Sequence, residues 1–480
     1  MQITSIEFCF FFLITLVLYH AVRPGLRCGL LLAASYIFYG SQNISYLCFL
    51  ILATLFTYVS GLLLEGHRDK EKTARVILGF TMGVNCLLLG TFKYLGFLSG
   101  GRLESPLMPV GISFYLFMSM GYIVDVYRGM IGAERNILSY GLFVSFFPTV
   151  LSGPIERAGN MLPQFSKEHF SKIKFDTARI RDGFVRMLWG YFMKLVLADR
   201  IAVLVNTVYA SPGEYGGAIT GLATVLYTFQ IYCDFSGYSH IAIGIAQTLG
   251  LKVMDNFKRP YLAGSIADFW RRWHISLSSW FKDYVYIPLG GNRRGAGRKY
   301  LNIVLVFLLS GFWHGAGWTF ILWGGLHGAY QVIGAILEPL KKRVISLLKI
   351  KENSFSLRAL RTAWTFFLVN VAWVLFRADS LSMVMDILGS FRQLRLWQIF
   401  DGTLYLLGLD RANVHLLVLG LLAVIIVDLL NERGCFLSQK IAGERLWIRW
   451  PIYLGGILLI LLCGMWGAGY NAASFIYYQF

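Results

Sequence analysis

The sequence predicts an all-α, polytopic integral membrane protein with about eleven to thirteen transmembrane crossings, plus re-entrant and interfacial helices. Three observations carry that expectation. Hydrophobic residues make up 56% of the 480-residue chain and charged residues only 15%, against roughly 25% charged in a soluble domain. Apolar runs recur along the whole length. Most Lys and Arg sit in the short stretches between those runs. A soluble fold of this composition would have too few polar groups to cover its surface, whereas lipid solvates an apolar exterior.

The spans follow from length. A helix rises about 1.5 Å per residue and the hydrocarbon is about 30 Å thick, so a crossing needs roughly 20 apolar residues. Candidate runs are Ile6–Tyr19, Leu30–Phe38, Tyr46–Leu64, Val76–Leu98, Val110–Val126, Leu138–Leu151, Phe184–Tyr209, Ile219–Leu249, Ile303–Leu337, Ala363–Phe376, Val414–Leu430 and Trp447–Gly467. Met1–His20 carries Glu7 where a signal peptide has a basic region, and no small-residue cleavage site follows, so it is read as a retained first span. Pro148, Gly153 and Pro154 interrupt the run 138–154. Irregular backbone at membrane depth is tolerated only beside protein or a water-filled cavity, so this run is expected to be a broken or re-entrant helix.

Charge sets the orientation. The net charge is +18, and no nucleic-acid-binding motif accompanies it. The positive-inside bias and attraction to anionic lipid explain it more simply. Placing the basic connectors around Arg23, Arg68 and Lys341–Arg361 inside puts the N-terminus outside. The segment 256–299 is too polar to cross lipid and is rich in Trp, Tyr and Arg. It is expected to form amphipathic interfacial helices ending at the turn Pro288–Asn292. The seven cysteines form no CxxC pair, and metal-binding and nucleotide-binding patterns are missing, so no metal and no bound cofactor are expected.

Few residues suit chemistry. His314 lies within an apolar run, where an ionisable side chain usually faces a polar cavity. It is either a proton-transfer group or a histidine hydrogen-bonded for helix packing. His274 follows Arg271 and Arg272 and is either a second relay or an interfacial histidine. The two arginines could hold an anionic substrate or lipid phosphates. His327, thirteen residues after His314, would face another side of a straight helix and is read as structural or as a support behind the site. Asp234 and Tyr238 are one turn apart on a helix, with His240 nearby, and could form a polar network. Glu156 and Arg157 are expected to be exposed in an interfacial turn.

Taken together these residues resemble the membrane-bound O-acyltransferase family, in its alginate O-acetyltransferase branch. The matching segments are PVGISFY (109–115), DVYRG (125–129), SGPIER (152–157), DFSGYS (234–239), IADFWRRWHISLS (266–278), YIPLGGNR (286–293), SGFWHG (310–315) and the tail FIYYQF (475–480). The resemblance is strong over roughly 100–330 and looser at the ends, and the catalytic core would be 101–340, between N-terminal helices over 1–100 and C-terminal helices over 341–480.

The resemblance implies a central tunnel with His314 as the catalytic residue and His274 as its partner. Asp234, Tyr238, Arg271, Arg272, Asn292 and Trp313 would line or position the site, with His274, the Trp313 indole or backbone N–H groups as oxyanion donors. Acetyl-coenzyme A or another cytosolic acyl thioester would be the donor, and a hydroxyl of an exported polysaccharide the acceptor. Tyr477 would relay the acyl group to an extracytoplasmic partner enzyme, or else anchor the tail at the interface. The location would be the cytoplasmic membrane of a bacterium. Two positions depart from the branch: His240 stands where an acidic residue is commoner, and the tail reads Tyr-Tyr rather than Tyr-Phe. D-alanylation of teichoic acid is an alternative within the enzyme class. A secondary transporter or polysaccharide exporter is an alternative outside it.

Overall fold

The computed structural model describes residues 1–100, 102–103, 106 and 108–466. Among them every regular element is helical and no strand occurs. The chain forms two compact units, one of Met1–Trp189 with Tyr238–Asp255, the other of Gly190–Gly237 with the chain from Asn256 onward.

Among the described residues five helices are long and apolar enough to cross a membrane: Ile44–Gly66, Glu71–Leu98, Phe355–Arg377, Arg411–Glu432 and Leu446–Cys463. A sixth span results if Trp318–Ile336 and Glu338–Leu347, bent by 49°, act as one. Other expected runs form shorter apolar helices, such as Ile6–Ala21 and Ile112–Tyr127. These lengths have a local origin. The Asn43 side chain accepts from the Ser45 N–H at 2.8 Å and starts the first long span. The Asp410 carboxylate accepts from the Asn413 N–H at 2.8 Å and starts another. Such caps satisfy donors that the first helical turn leaves unpaired. Leu52, Leu63, Val76, Leu87, Leu419 and Ile426 are exposed, as residues facing acyl chains should be.

In the first unit the expected broken helix is present. Ile137–Ser145 stops after nine residues, and 146–153 continues as buried turns. The protein itself satisfies this backbone: Phe147 N–H donates to Ser35 Oγ at 3.1 Å, and Gly153 N–H to the Thr149 carbonyl at 3.0 Å. The expected exposure of Glu156 and Arg157 is corrected here. Glu156 is only 2% exposed, and Arg157 is half-buried. The Glu156 carboxylate accepts from the Met254 N–H at 2.6 Å and from Asn160 Nδ2 at 2.8 Å. A carboxylate in a turn is buried here because it satisfies irregular backbone that water would otherwise serve.

The second unit contains the hairpin Gly295–His314 and Trp318–Ile336. Its helices meet glycine to glycine. A β-carbon at Gly311 would strike the Phe320 carbonyl oxygen, and one at Gly324 the Phe307 carbonyl oxygen. Small residues at matching heights let two helix backbones approach this closely. Beside the hairpin, 256–299 forms short helices Ile266–Arg272 and Ile275–Phe281, a π-helical turn Lys282–Tyr286 and a run of turns to Arg294.

Replacing Gly324 with Val should therefore force the hairpin apart and cost about 1–3 kcal/mol. The expected result is a lower thermal midpoint for the detergent-purified protein by size-exclusion recovery after heating. A Val substitution at Gly79, where a side chain meets open space, should leave recovery unchanged.

Candidate functional site

His314 is the last residue of its helix, and the chain then reverses through Gly315–Gly317 into the second hairpin helix. The imidazole is 3% exposed and stands in a box of aromatic rings. Ring centroids lie 4.8 Å away for Trp313, 5.0 Å for Trp323 and 5.2 Å for Phe376, all edge-on. The reversal also brings His327 close, in the supporting position expected of it. The angular argument against a shared site presumes one straight helix, whereas the hairpin returns His327 to the same cluster. Its ring is 5.1 Å from Trp323, and its Nδ1 accepts from Trp270 Nε1–H at 3.2 Å. His327 thus supports the wall behind His314.

His274 joins Ile266–Arg272 to Ile275–Phe281 in a left-handed conformation, φ 43°. It is fully buried. Phe235 meets its ring edge-on at 4.6 Å, and Trp313 lies 6.2 Å away. Trp313 therefore touches both candidate histidines. Asn256, which the sequence reading passed over, is the nearest polar partner: its Oδ1 lies 3.1 Å from His274 Nδ1. Burial pushes His274 well below the usual histidine range, so its imidazole is neutral near pH 7.

Asp234 is not a loose cavity group. Lys194 Nζ lies 2.7 Å from Asp234 and 2.8 Å from Asp199, with all three side chains at most 4% exposed. Lys194 belongs to the π-helical turn Phe192–Ala198, which turns its ammonium toward a helix forty residues later in the chain. Such turns are frequent at functional sites. Asp234 sits next to Phe235, so this ion cluster fixes the part of the helix that carries a wall of the His274 pocket. Tyr238 follows one turn later and is buried.

The remaining candidates are not brought into this pocket. Arg272 pairs with Asp268 and Glu432, each at 3.0 Å, and Arg271 is mostly exposed beside Asp268. Asn292 is exposed in the turn, hydrogen-bonded to Tyr286. Tyr477 lies outside the described residues. Among the described residues no group of three or more His, Cys, Asp or Glu could hold a metal. Two imidazoles flank one indole inside aromatic walls, and imidazole is a side chain suited to proton transfer near neutral pH.

Comparison with known proteins locates these motifs. Residues 131–347 match the family model described as the membrane-bound O-acyltransferase family. A probable alginate O-acetylase of Pseudomonas putida is 38% identical over 84% of this chain and 82% of its own length. A peptidoglycan O-acetyltransferase of Helicobacter pylori is 35% identical over 75% of this chain and 72% of its own. A teichoic acid D-alanyltransferase of Bacillus subtilis is 27% identical over 61% of this chain and 77% of its own.

The Lys194 cluster yields a stability prediction. Lys194→Met leaves two buried carboxylates without their cation and should cost about 3–5 kcal/mol. Adding Asp199→Asn and Asp234→Asn to the same variant should recover most of the loss, measured as folded fraction after a thermal challenge at fixed lipid content.

Proposed function

The chain belongs to the membrane-bound O-acyltransferase family and is a multi-pass membrane enzyme, and from that premise we propose that it moves an acetyl group from a cytosolic thioester onto hydroxyls of a cell-surface polysaccharide, with His314 and His274 carrying the proton transfers. The exporter reading gives way to the family assignment. The observation that carries the site assignment is the enclosure of both histidines around Trp313, in walls built from Phe235, Trp323 and Phe376.

The chemistry suits that enclosure. The acceptor oxygen attacks the thioester carbonyl while a neutral imidazole takes its proton, giving a tetrahedral oxyanion. Collapse re-forms the carbonyl, breaks the C–S bond and returns a proton to the leaving thiolate. Water would compete with the alcohol, so aromatic walls serve transfer over hydrolysis. An indole N–H beside the reacting carbon is a suitable oxyanion donor, and Trp313 is our candidate. Acetyl-coenzyme A is the proposed donor, the cytoplasmic membrane the proposed location, and an extracytoplasmic esterase-like protein the proposed partner. Acetate is favoured over D-alanine because the acetylating relatives are more similar and covered over more of this chain than the D-alanyltransferase.

The test compares wild type with His314→Ala at equal membrane levels. Ester-linked acyl groups on purified surface polysaccharide are released by mild alkali and identified by mass. We expect acetate from wild type and a loss of at least about 100-fold in the variant, as for removal of a general base. Unchanged ester in the variant would contradict the assignment of His314, and release of D-alanine would replace the proposed acyl group.

A further inference from the structure

The carboxamide oxygen of Asn256 makes three contacts that together determine the hydrogen positions at His274. Asn256 Oδ1 lies 3.2 Å from the Ser276 backbone N–H, 2.9 Å from Ser276 Oγ and 3.1 Å from His274 Nδ1. Asn256 also accepts through its main-chain carbonyl from the Ile275 N–H at 3.0 Å. A backbone N–H can only donate, so the atom facing Ser276 is the oxygen and not the amide nitrogen. An amide oxygen can only accept, so the imidazole atom facing it must be N–H. A neutral imidazole carries one N–H. His274 therefore holds its proton on Nδ1, and its Nε2 presents a lone pair.

We propose that Asn256 is a positioning residue that locks neutral His274 in the Nδ1–H tautomer, so that His274 acts through Nε2 as a proton acceptor and not as an oxyanion donor. This rests on the reading that His274 takes part in acyl transfer, and it divides the labour left open there. The donor to the oxyanion falls to another group, and the acceptor proton has an assigned destination at Nε2. Proton balance is kept: Nε2 gains the hydroxyl proton as the C–O bond forms, and passes a proton by way of His314 to the thiolate as the C–S bond breaks.

The backbone supports the same assignment. His274 is held at φ 43°, a region costly for a side chain with a β-carbon and found where surrounding structure over-determines it. Here the over-determination is the set of bonds that Asn256 makes to Ile275 and Ser276, the two residues after the strained one. One side chain and its carbonyl fix the turn, the ring orientation and the tautomer together. Among the described residues Phe235, Trp313 and Ser276 also face the ring.

The test uses full-length protein in lipid nanodiscs, labelled with 15N-histidine, with the His274 signals identified by difference from His274→Ala. Wild type should show a protonated Nδ1 and an unprotonated Nε2 at neutral pH. Asn256→Leu should show mixed or reversed tautomers and lose about 100-fold in acyl turnover. Asn256→Asp, which restores an acceptor to Nδ1–H, should regain the wild-type tautomer and at least a tenfold part of the loss. A protonated Nε2 in wild type overturns the proposal, as does equal turnover in Asn256→Leu and wild type, or an Asn256→Asp variant as inactive as Asn256→Leu. Full turnover in His274→Ala would instead sink the role of His274, and the tautomer signals would still decide whether Asn256 sets the proton.

Discussion

Hydrocarbon offers no hydrogen bonds, so every break in a helix at membrane depth must be closed by the protein's own groups. This constraint shapes each irregular segment of the molecule. The buried turns 146–153 close on themselves and on Ser35. The turn containing Glu156 is closed by a carboxylate that accepts from Met254 and Asn160. The break at His274 is closed by Asn256. A histidine with useful chemistry needs such a break, because a ring facing lipid from a regular helix has nothing to react with. Polar closure of irregular backbone and construction of a reaction site are here one piece of engineering.

The second ingredient is aromatic mass. Trp313, Trp323 and Phe376 are buried and meet His314 edge-on, while Trp373 and His327 pack against Trp323. Rings of this size fill space with few rotatable bonds and present positive edges to the face of an imidazole. In the proposed reaction they also keep bulk water from competing with the acceptor hydroxyl. The glycine contact between Gly311 and Gly324 makes the enclosure possible, since it brings the hairpin helices close enough for Trp323 to reach His314. The buried Lys194 cluster holds the Asp234–Phe235 turn in the same way, by charge rather than by shape.

Much of this was legible in the sequence, and the misses have physical reasons. Apolar run length identified the helical membrane class and the broken run at Pro148, because lipid makes length and polarity decisive. The motif around Trp313 and His314 and the one around His274 identified the histidines that the fold gathers. Asn256 was overlooked because a lone Asn near an interface gives no local signal; its partners are 18 and 20 residues away. Lys194 was hidden inside an apolar run, where its match to Asp234 is visible only once a π-helical turn is known. Glu156 was misjudged because turn carboxylates are usually solvated, and its partner Met254 N–H lies 98 residues on. Local chemistry was readable; pairing at a distance was not.

The central claim is that acyl groups cross this protein through the pocket of His314. It is tested most directly in sealed inverted membrane vesicles that contain the enzyme and its acceptor polysaccharide. Acetyl-labelled coenzyme A is added outside, at the cytoplasmic face, and ester label protected inside the lumen is followed over time. Wild type should give lumenal ester, and His314→Ala at equal protein level at most a small residue. Equal lumenal labelling in the two would contradict it.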